Sequence, residues 1–205
     1  MKAGIIVFPG TNCDRDTFEA CSFFGWECRY IWHNETDLNN LDAIFLPGGF
    51  SYGDYICSGR LAKFSPVIQE VKNFIKRKQG IVIGICNGFQ ILCETKLLPG
   101  VLTTNINNKF ICDNTFLTFQ NIEITLPIAH KEGRYIAPEG KNLCNMMFLQ
   151  YKNNPNGSDY DIAGLYDREN KILAMMPHPE RAVFKETGLT DGRKIFEFIQ
   201  KELNK

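Results

Sequence analysis

The segment that most constrains this chain is Gly84-Ile85-Cys86-Asn87-Gly88. It follows the continuous apolar run Ile81–Ile85 and precedes the helical pattern Phe89-Gln90-Ile91-Leu92. A short run of that kind reads as a central strand covered on both faces. Small residues two positions before and after Cys86 let a strand turn into a helix so sharply that larger side chains there would collide. Such a turn imposes positive φ on the residue at its apex. It also projects that side chain from the carboxyl edge of the sheet, where α/β folds place their ligands. A thiol in this position faces the positive end of a helix dipole, which favours thiolate. A buried structural cysteine suits the same turn, so the pentapeptide alone leaves both readings open.

The rest of the first half repeats the strand–helix rhythm. Ala3–Phe8, Trp26–Trp32 and Ala43–Leu46 read as strands, and Asp14–Phe24 as a helix stopped by Gly25. Ser65-Pro66 opens a helix with a capping residue and a proline at its first position. Val67, Val71, Phe74 and Ile75 make its buried stripe, and Gly80 ends it. The alternation predicts a mostly parallel central sheet flanked by helices, a three-layer α/β sandwich. Beyond Lys109 it gives way to shorter strands at Phe110–Cys112, Phe116–Phe119 and Ile122–Leu126. A hairpin of Ile162–Tyr166 with Ile172–Met176 and a last helix, Asp191–Leu203, follow. The expectation is a small antiparallel extension on one domain spanning residues 1–205, a length suited to a single core.

Charge excludes some partners. Twenty-three basic residues balance 23 acidic ones with no like-charged block, so neither a nucleic-acid footprint nor a polybasic membrane anchor is expected. No apolar run approaches the ~20 residues of a membrane span, and Met1–Pro9 reads as a first strand rather than a secretory signal. The eight cysteines form no Cys-x-x-Cys pair, and Cys21, Cys93 and Cys112 lie in apolar periodic segments. Reduced, buried thiols in a cytoplasmic protein are expected, with no metal site.

A thiol nucleophile needs a base. His178 stands in Met176-Pro177-His178-Pro179-Glu180-Arg181, directly after an expected strand, with prolines on both sides restricting its backbone. Glu180 is placed to accept the second ring N–H and fix the tautomer, so Cys86, His178 and Glu180 make a candidate triad. His130, in a polar loop with Lys131, Glu132, Gly133 and Arg134, is the rival base and reads better as a docking surface or substrate contact. His33 reads as a loop or packing residue. Pro47-Gly48-Gly49 follows the third strand, and the Gly49 amide would complement that of Asn87 in an oxyanion hole. A nucleotide loop is disfavoured there, because the Gly-x-x-x-x-Gly-Lys spacing is missing.

These residues resemble class I glutamine amidotransferases. The likeness rests on Gly84-Ile85-Cys86-Asn87-Gly88-Phe89-Gln90, Pro47-Gly48-Gly49-Phe50-Ser51-Tyr52-Gly53-Asp54-Tyr55, Pro177-His178-Pro179-Glu180-Arg181-Ala182-Val183 and Asn154-Pro155-Asn156-Gly157-Ser158. With Phe8-Pro9-Gly10-Thr11-Asn12-Cys13-Asp14 and His130-Lys131-Glu132-Gly133-Arg134, it narrows to the small glutaminase subunits of phosphoribosylformylglycinamidine synthase. The resemblance implies a flavodoxin-like fold and hydrolysis of glutamine through a Cys86 thioester. Ammonia would pass to a separate synthetase subunit that makes formylglycinamidine ribonucleotide in purine biosynthesis. It further implies that Phe50, Gln90, Asn156, Gly157 and Ser158 hold glutamine and that Arg181 supports the triad. No cofactor is expected in this chain. ATP and magnesium belong to the synthetase, and a small bridging subunit completes the complex. The alternative is another cysteine hydrolase, or the glutaminase of a different biosynthetic complex, on the same fold. Cys57 stands where the family has an arginine, with Arg60 nearby, and Lys131 stands where it has a glycine.

Overall fold

A computed structural model describes residues 1–204. Its first half comprises β1 (Lys2–Val7), α1 (Asp14–Phe23), β2 (Glu27–Trp32), β3 (Ala43–Leu46), α2 (Pro66–Lys76), β4 (Ile81–Ile85) and α3 (Asn87–Glu94). The second half comprises β5 (Val101–Thr103), β6 (Ile111–Phe119), β7 (Ile122–His130), β8 (Arg134–Ile136), β9 (Met147–Tyr151), β10 (Ile162–Asp167), β11 (Ile172–Met175) and α4 (Gly192–Leu203).

Nine strands form one sheet in the order β2-β1-β3-β4-β11-β10-β9-β6-β7. The first five run parallel, and each strand from β10 onward pairs antiparallel with its neighbour. The β1-to-β2 and β3-to-β4 connections step in opposite directions across the sheet. With right-handed crossovers, their helices α1 and α2 therefore lie on opposite faces. On the α1 face, Phe45 of β3 stacks on Phe196 of α4, which also stacks on Phe24, and Trp26 packs edge-on against Phe196. Burying Phe196 alone contributes ~2–3 kcal/mol of transfer free energy.

The antiparallel portion is larger than the sequence suggests. Ile111, Cys112 and Phe116–Phe119 belong to the single strand β6, which Phe110 only precedes, and Ile122–Leu126 extends to His130. The two strands meet at Gln120-Asn121, both at positive φ (48° and 66°). That is the backbone of a two-residue turn whose twist matches the strands. The polar stretch Asp113-Asn114-Thr115, which separates the two expected strands, continues one long strand in which Asp113 and Asn114 are exposed and Thr115 is buried; Cys112 is also exposed rather than buried. Strand β9 and the separate β5–β8 pair are not evident in the sequence. Ser65 occupies the N-cap of α2, but its hydroxyl bonds the Tyr52 hydroxyl (2.7 Å) instead of capping a backbone amide. Among the described residues no helix is long and apolar enough to cross a membrane.

Candidate active site

Four parallel strands, β1, β3, β4 and β11, deliver their carboxyl ends to one spot. The reversal of strand order between β1 and β3 opens a crevice there. Cys86 stands at the end of β4 with φ 51° and ψ −103°, the strained apex expected of the turn. A Cβ at Gly88 would fall 1.9 Å from the Leu46 carbonyl oxygen, and one at Gly84 would fall 2.8 Å from the Gly88 backbone. No larger residue fits either position without moving a central strand. The Cys86 amide donates to the Met175 carbonyl (2.7 Å), tying the apex to β11, which ends three residues before His178.

His178 is buried in a turn between its two prolines. Its amide donates to the Pro127 carbonyl of β7 (2.8 Å), and its Nδ1 lies 2.6 Å from Glu180 Oε1. A carboxylate on Nδ1 holds the proton there and directs Nε2 toward the reacting group. Burial pulls the imidazole pKa down, but the Glu180 carboxylate and the Cys86 sulfur outweigh it and hold it well above its ordinary value. In this resting geometry Nε2 has no hydrogen-bond partner, and the Cys86 sulfur rests 3.7 Å from the Ala129 carbonyl oxygen. Such contacts commonly tighten only when substrate binds. The convergence is nonetheless close. A Cβ at Gly48 would lie 2.7 Å from His178 Cε1, 3.0 Å from Cys13 Sγ and 3.4 Å from Cys86 Cβ, so only glycine lets the three side chains meet.

The oxyanion candidates lie beside them. Asn87 is the first residue of α3, and first-turn amides have no intrahelical acceptor. Gly49 takes φ 149°, while the next two amides are engaged, Phe50 with the Gly10 carbonyl (2.9 Å) and Ser51 with the Asn87 side chain (3.3 Å). Asn87 Nδ2 in turn donates to Gln90 Oε1 (2.9 Å), whose Nε2 donates to the Glu132 carbonyl (2.6 Å). One carboxamide chain thus fixes the Pro-Gly-Gly loop, the elbow helix and the 129–132 segment together.

A cleft of about 230 Å³ opens over Cys86 and is walled by Gly49, Phe50, Gln90 and His130, among others. Asn156, Gly157 and Ser158, expected to contact glutamine, lie outside its wall. Asn156 is fully buried and donates to the Gly133 carbonyl (2.9 Å), and Ser158 Oγ donates to Asn156 Oδ1 (2.7 Å) and accepts from the Tyr135 amide (3.0 Å). Their polar groups brace the strand that follows the cleft wall. His33 is a packing residue as expected, with its ring bonded to the Tyr52 hydroxyl (2.9 Å). His130 is not a docking surface, because it is buried.

Cys13 escaped the sequence reading. Its sulfur lies 4.0 Å from His178 Nδ1 and accepts from the Arg181 guanidinium at 2.9 Å, and burial pushes its thiol pKa up. Its position just after the first strand, at the same sheet edge as Cys86, was the signal that could have found it. Cys13, His178 and Glu180 could together hold a metal ion. However, the Arg181 cation on the sulfur and the Glu180 bond on Nδ1 already occupy two of those ligand atoms. Cys57 and Arg60 share one partner, Glu94, with Arg60 Nε 3.3 Å from Oε2 and Cys57 Sγ 3.7 Å from Oε1.

The family model of the CobB/CobQ-like glutamine amidotransferase domain matches residues 1–189. A phosphoribosylformylglycinamidine synthase subunit PurQ of Prochlorococcus marinus is 49% identical, with 97% of this chain and 99% of the relative covered. The subunit PurQ of Salinibacter ruber is 43% identical, over 97% of this chain and 95% of the relative. The chain belongs to this family, in its PurQ branch. The solved structure of PurLQS from Thermotoga maritima contains a chain that superposes with TM-score 0.91 at 38% identity, each covered to 98%. Another glutamine amidotransferase of Thermotoga maritima shares the fold at TM-score 0.59 and 15% identity, with 100% of this chain and 92% of the other covered. The chain is therefore a glutamine amidotransferase with a mostly parallel sheet core.

Proposed function

We propose that Cys86, His178 and Glu180 carry out the glutaminase half-reaction of this family member. The Cys86 thiolate adds to the side-chain carboxamide carbon of glutamine, and the amides of Gly49 and Asn87 receive the developing oxyanion. The C–N bond then breaks as the His178 Nε2 proton passes to the nitrogen, leaving a γ-glutamyl thioester and ammonia. A water, deprotonated by His178, hydrolyses the thioester to glutamate. Glu180 keeps the imidazole in the useful tautomer and supports its charge. Phe50 and Gln90 line the path of the substrate. The observation that carries this reading is the strained Cys86 elbow meeting a buried His–Glu pair at one sheet edge.

Ammonia made here serves a synthetase partner, which docks where Phe50, Tyr55, Ile56 and Phe110 are exposed around and beside the cleft. Large exposed apolar side chains gathered at one mouth suit a protein contact. A small bridging subunit joins the assembly, and ATP and magnesium act on the synthetase. A cytoplasmic setting suits unpaired thiols throughout the chain. The test is ammonia release from glutamine by the complex assembled with synthetase subunits. Cys86→Ala abolishes it while amidine synthesis from added ammonium chloride continues. Retained glutamine-dependent release would sink the reading.

A further inference from the structure

One buried titratable group stands in the cleft with no role in the steps above. His130, at the end of β7, is 3% exposed and lines the same cleft as Cys86, and its neighbour Ala129 lays its carbonyl 3.7 Å from the Cys86 sulfur. Its tautomer can be read from Asn105. That side chain's Nδ2 donates to the carbonyls of Lys109 and His130, both at 2.9 Å, so its Oδ1 faces the other way. The oxygen accepts from the Gly133 amide and lies 3.1 Å from His130 Nδ1. A ring nitrogen facing an acceptor must carry the hydrogen. Burial and the nearby His178 push the His130 pKa down to about 4, so near neutral pH the ring is uncharged and its Nε2 is a bare lone pair. Nε2 is buried with no protein partner.

We propose that His130 is a substrate-contacting residue whose Nε2 accepts an N–H of the glutamine side-chain amide and of the ammonia formed from it. This rests on the glutaminase reading above. Glutamine offers N–H donors at two ends, its α-ammonium and its carboxamide. The proximity to His178 and the Ala129 contact with the thiol favour the carboxamide end. An orphaned buried acceptor is costly, and a bound amide nitrogen would satisfy it. The arrangement also suits the product. Nε2 has no proton to give, and so weak a base takes none from nitrogen, so ammonia leaves this contact as the free base that nucleophilic transfer requires.

The test compares two substrates in the assembled complex, glutamine and the γ-methyl ester of glutamate, whose leaving oxygen brings no N–H. His130→Asn keeps a donor near Asn105 and removes Nε2. It should lower kcat/KM for glutamine by about tenfold, the worth of one buried hydrogen bond, and leave ester hydrolysis nearly unchanged. His130→Gln, whose longer side chain returns an acceptor toward the Nε2 position, should recover part of the loss. Equal losses on amide and ester in both variants would overturn the proposal. That failure would leave the glutaminase reading intact, since the reading is judged separately by Cys86→Ala.

Discussion

His178 and His130 are both buried and both leave Nε2 without a partner, yet their pKa values are pushed in opposite directions. The difference lies in the group on Nδ1. Glu180 is a carboxylate and stabilises an imidazolium, whereas Asn105 is a neutral carboxamide and offers nothing to offset the cost of burying charge. One ring is thereby suited to moving protons and the other to accepting hydrogen bonds. The contrast shows that a histidine's role is set less by its own burial than by the charge of the residue behind it.

The contrast can be broken from either side. The largest effect is expected from His178→Ala, which removes the acid and base and should lower glutamine hydrolysis by the complex by ~10⁴-fold. A loss of only tenfold, like that expected at His130, would erase the distinction. Glu180→Gln comes next. It puts a neutral partner behind His178, so the imidazole pKa should fall and turnover drop by roughly 10²-fold. Nitrogen-15 NMR titration of the ring reads the first effect and a steady-state assay the second. The reciprocal change, Asn105→Asp, should raise the His130 pKa from about 4 toward or above the ordinary histidine value, visible in the same titration.

Stability should carry the same signature with opposite signs. The His130 pKa is depressed, so its contribution is present above the unfolded value near 6.5 and is lost as pH falls through about 4. The full swing is about 3 kcal/mol at most. The His178 pKa is raised, so its contribution is present below about 6.5 and is lost as pH rises through its folded value. Urea unfolding at pH 7 and pH 5 should show wild type losing stability on acidification, and His130→Gln losing less. An identical pH dependence in the two proteins would contradict the buried neutral ring. The smallest effect belongs to Cys13→Ala. Its sulfur stands 4.0 Å from His178 Nδ1, too far for a strong bond, so glutaminase activity should fall only ~2–3-fold.

The two halves of the chain differ in how much of this was readable. Around Cys86 the sequence is locally decisive. Ile81–Ile85, the flanking glycines and the following helix each admit few alternatives, and the strand occupies the expected residues. Pro177 and Pro179 likewise announced a fixed histidine. The antiparallel half obeys longer-range rules. The turn at Gln120-Asn121 uses positive φ without a glycine, and β6 reads as two strands because the polar run Asp113-Asn114-Thr115 interrupts its apolar residues. The burial of His130 depends on Asn105, 25 residues away, and nothing local marks that pairing. The family resemblance singles out Asn156 and Ser158, but their local sequence does not show what they bond. Their hydrogen bonds run to Gly133 and Tyr135, which only the folded chain brings beside them.

The hydrogen bond from the His178 amide to the Pro127 carbonyl has a mechanical meaning. It couples the turn that carries the base to the outermost strand of the sheet, three residues before His130 on that strand. A displacement of β7 by a bond length either breaks this link or drags the imidazole with it. Load applied to the hairpin is therefore felt at both rings at once, and the sheet's free edge works as a lever on its own catalytic centre.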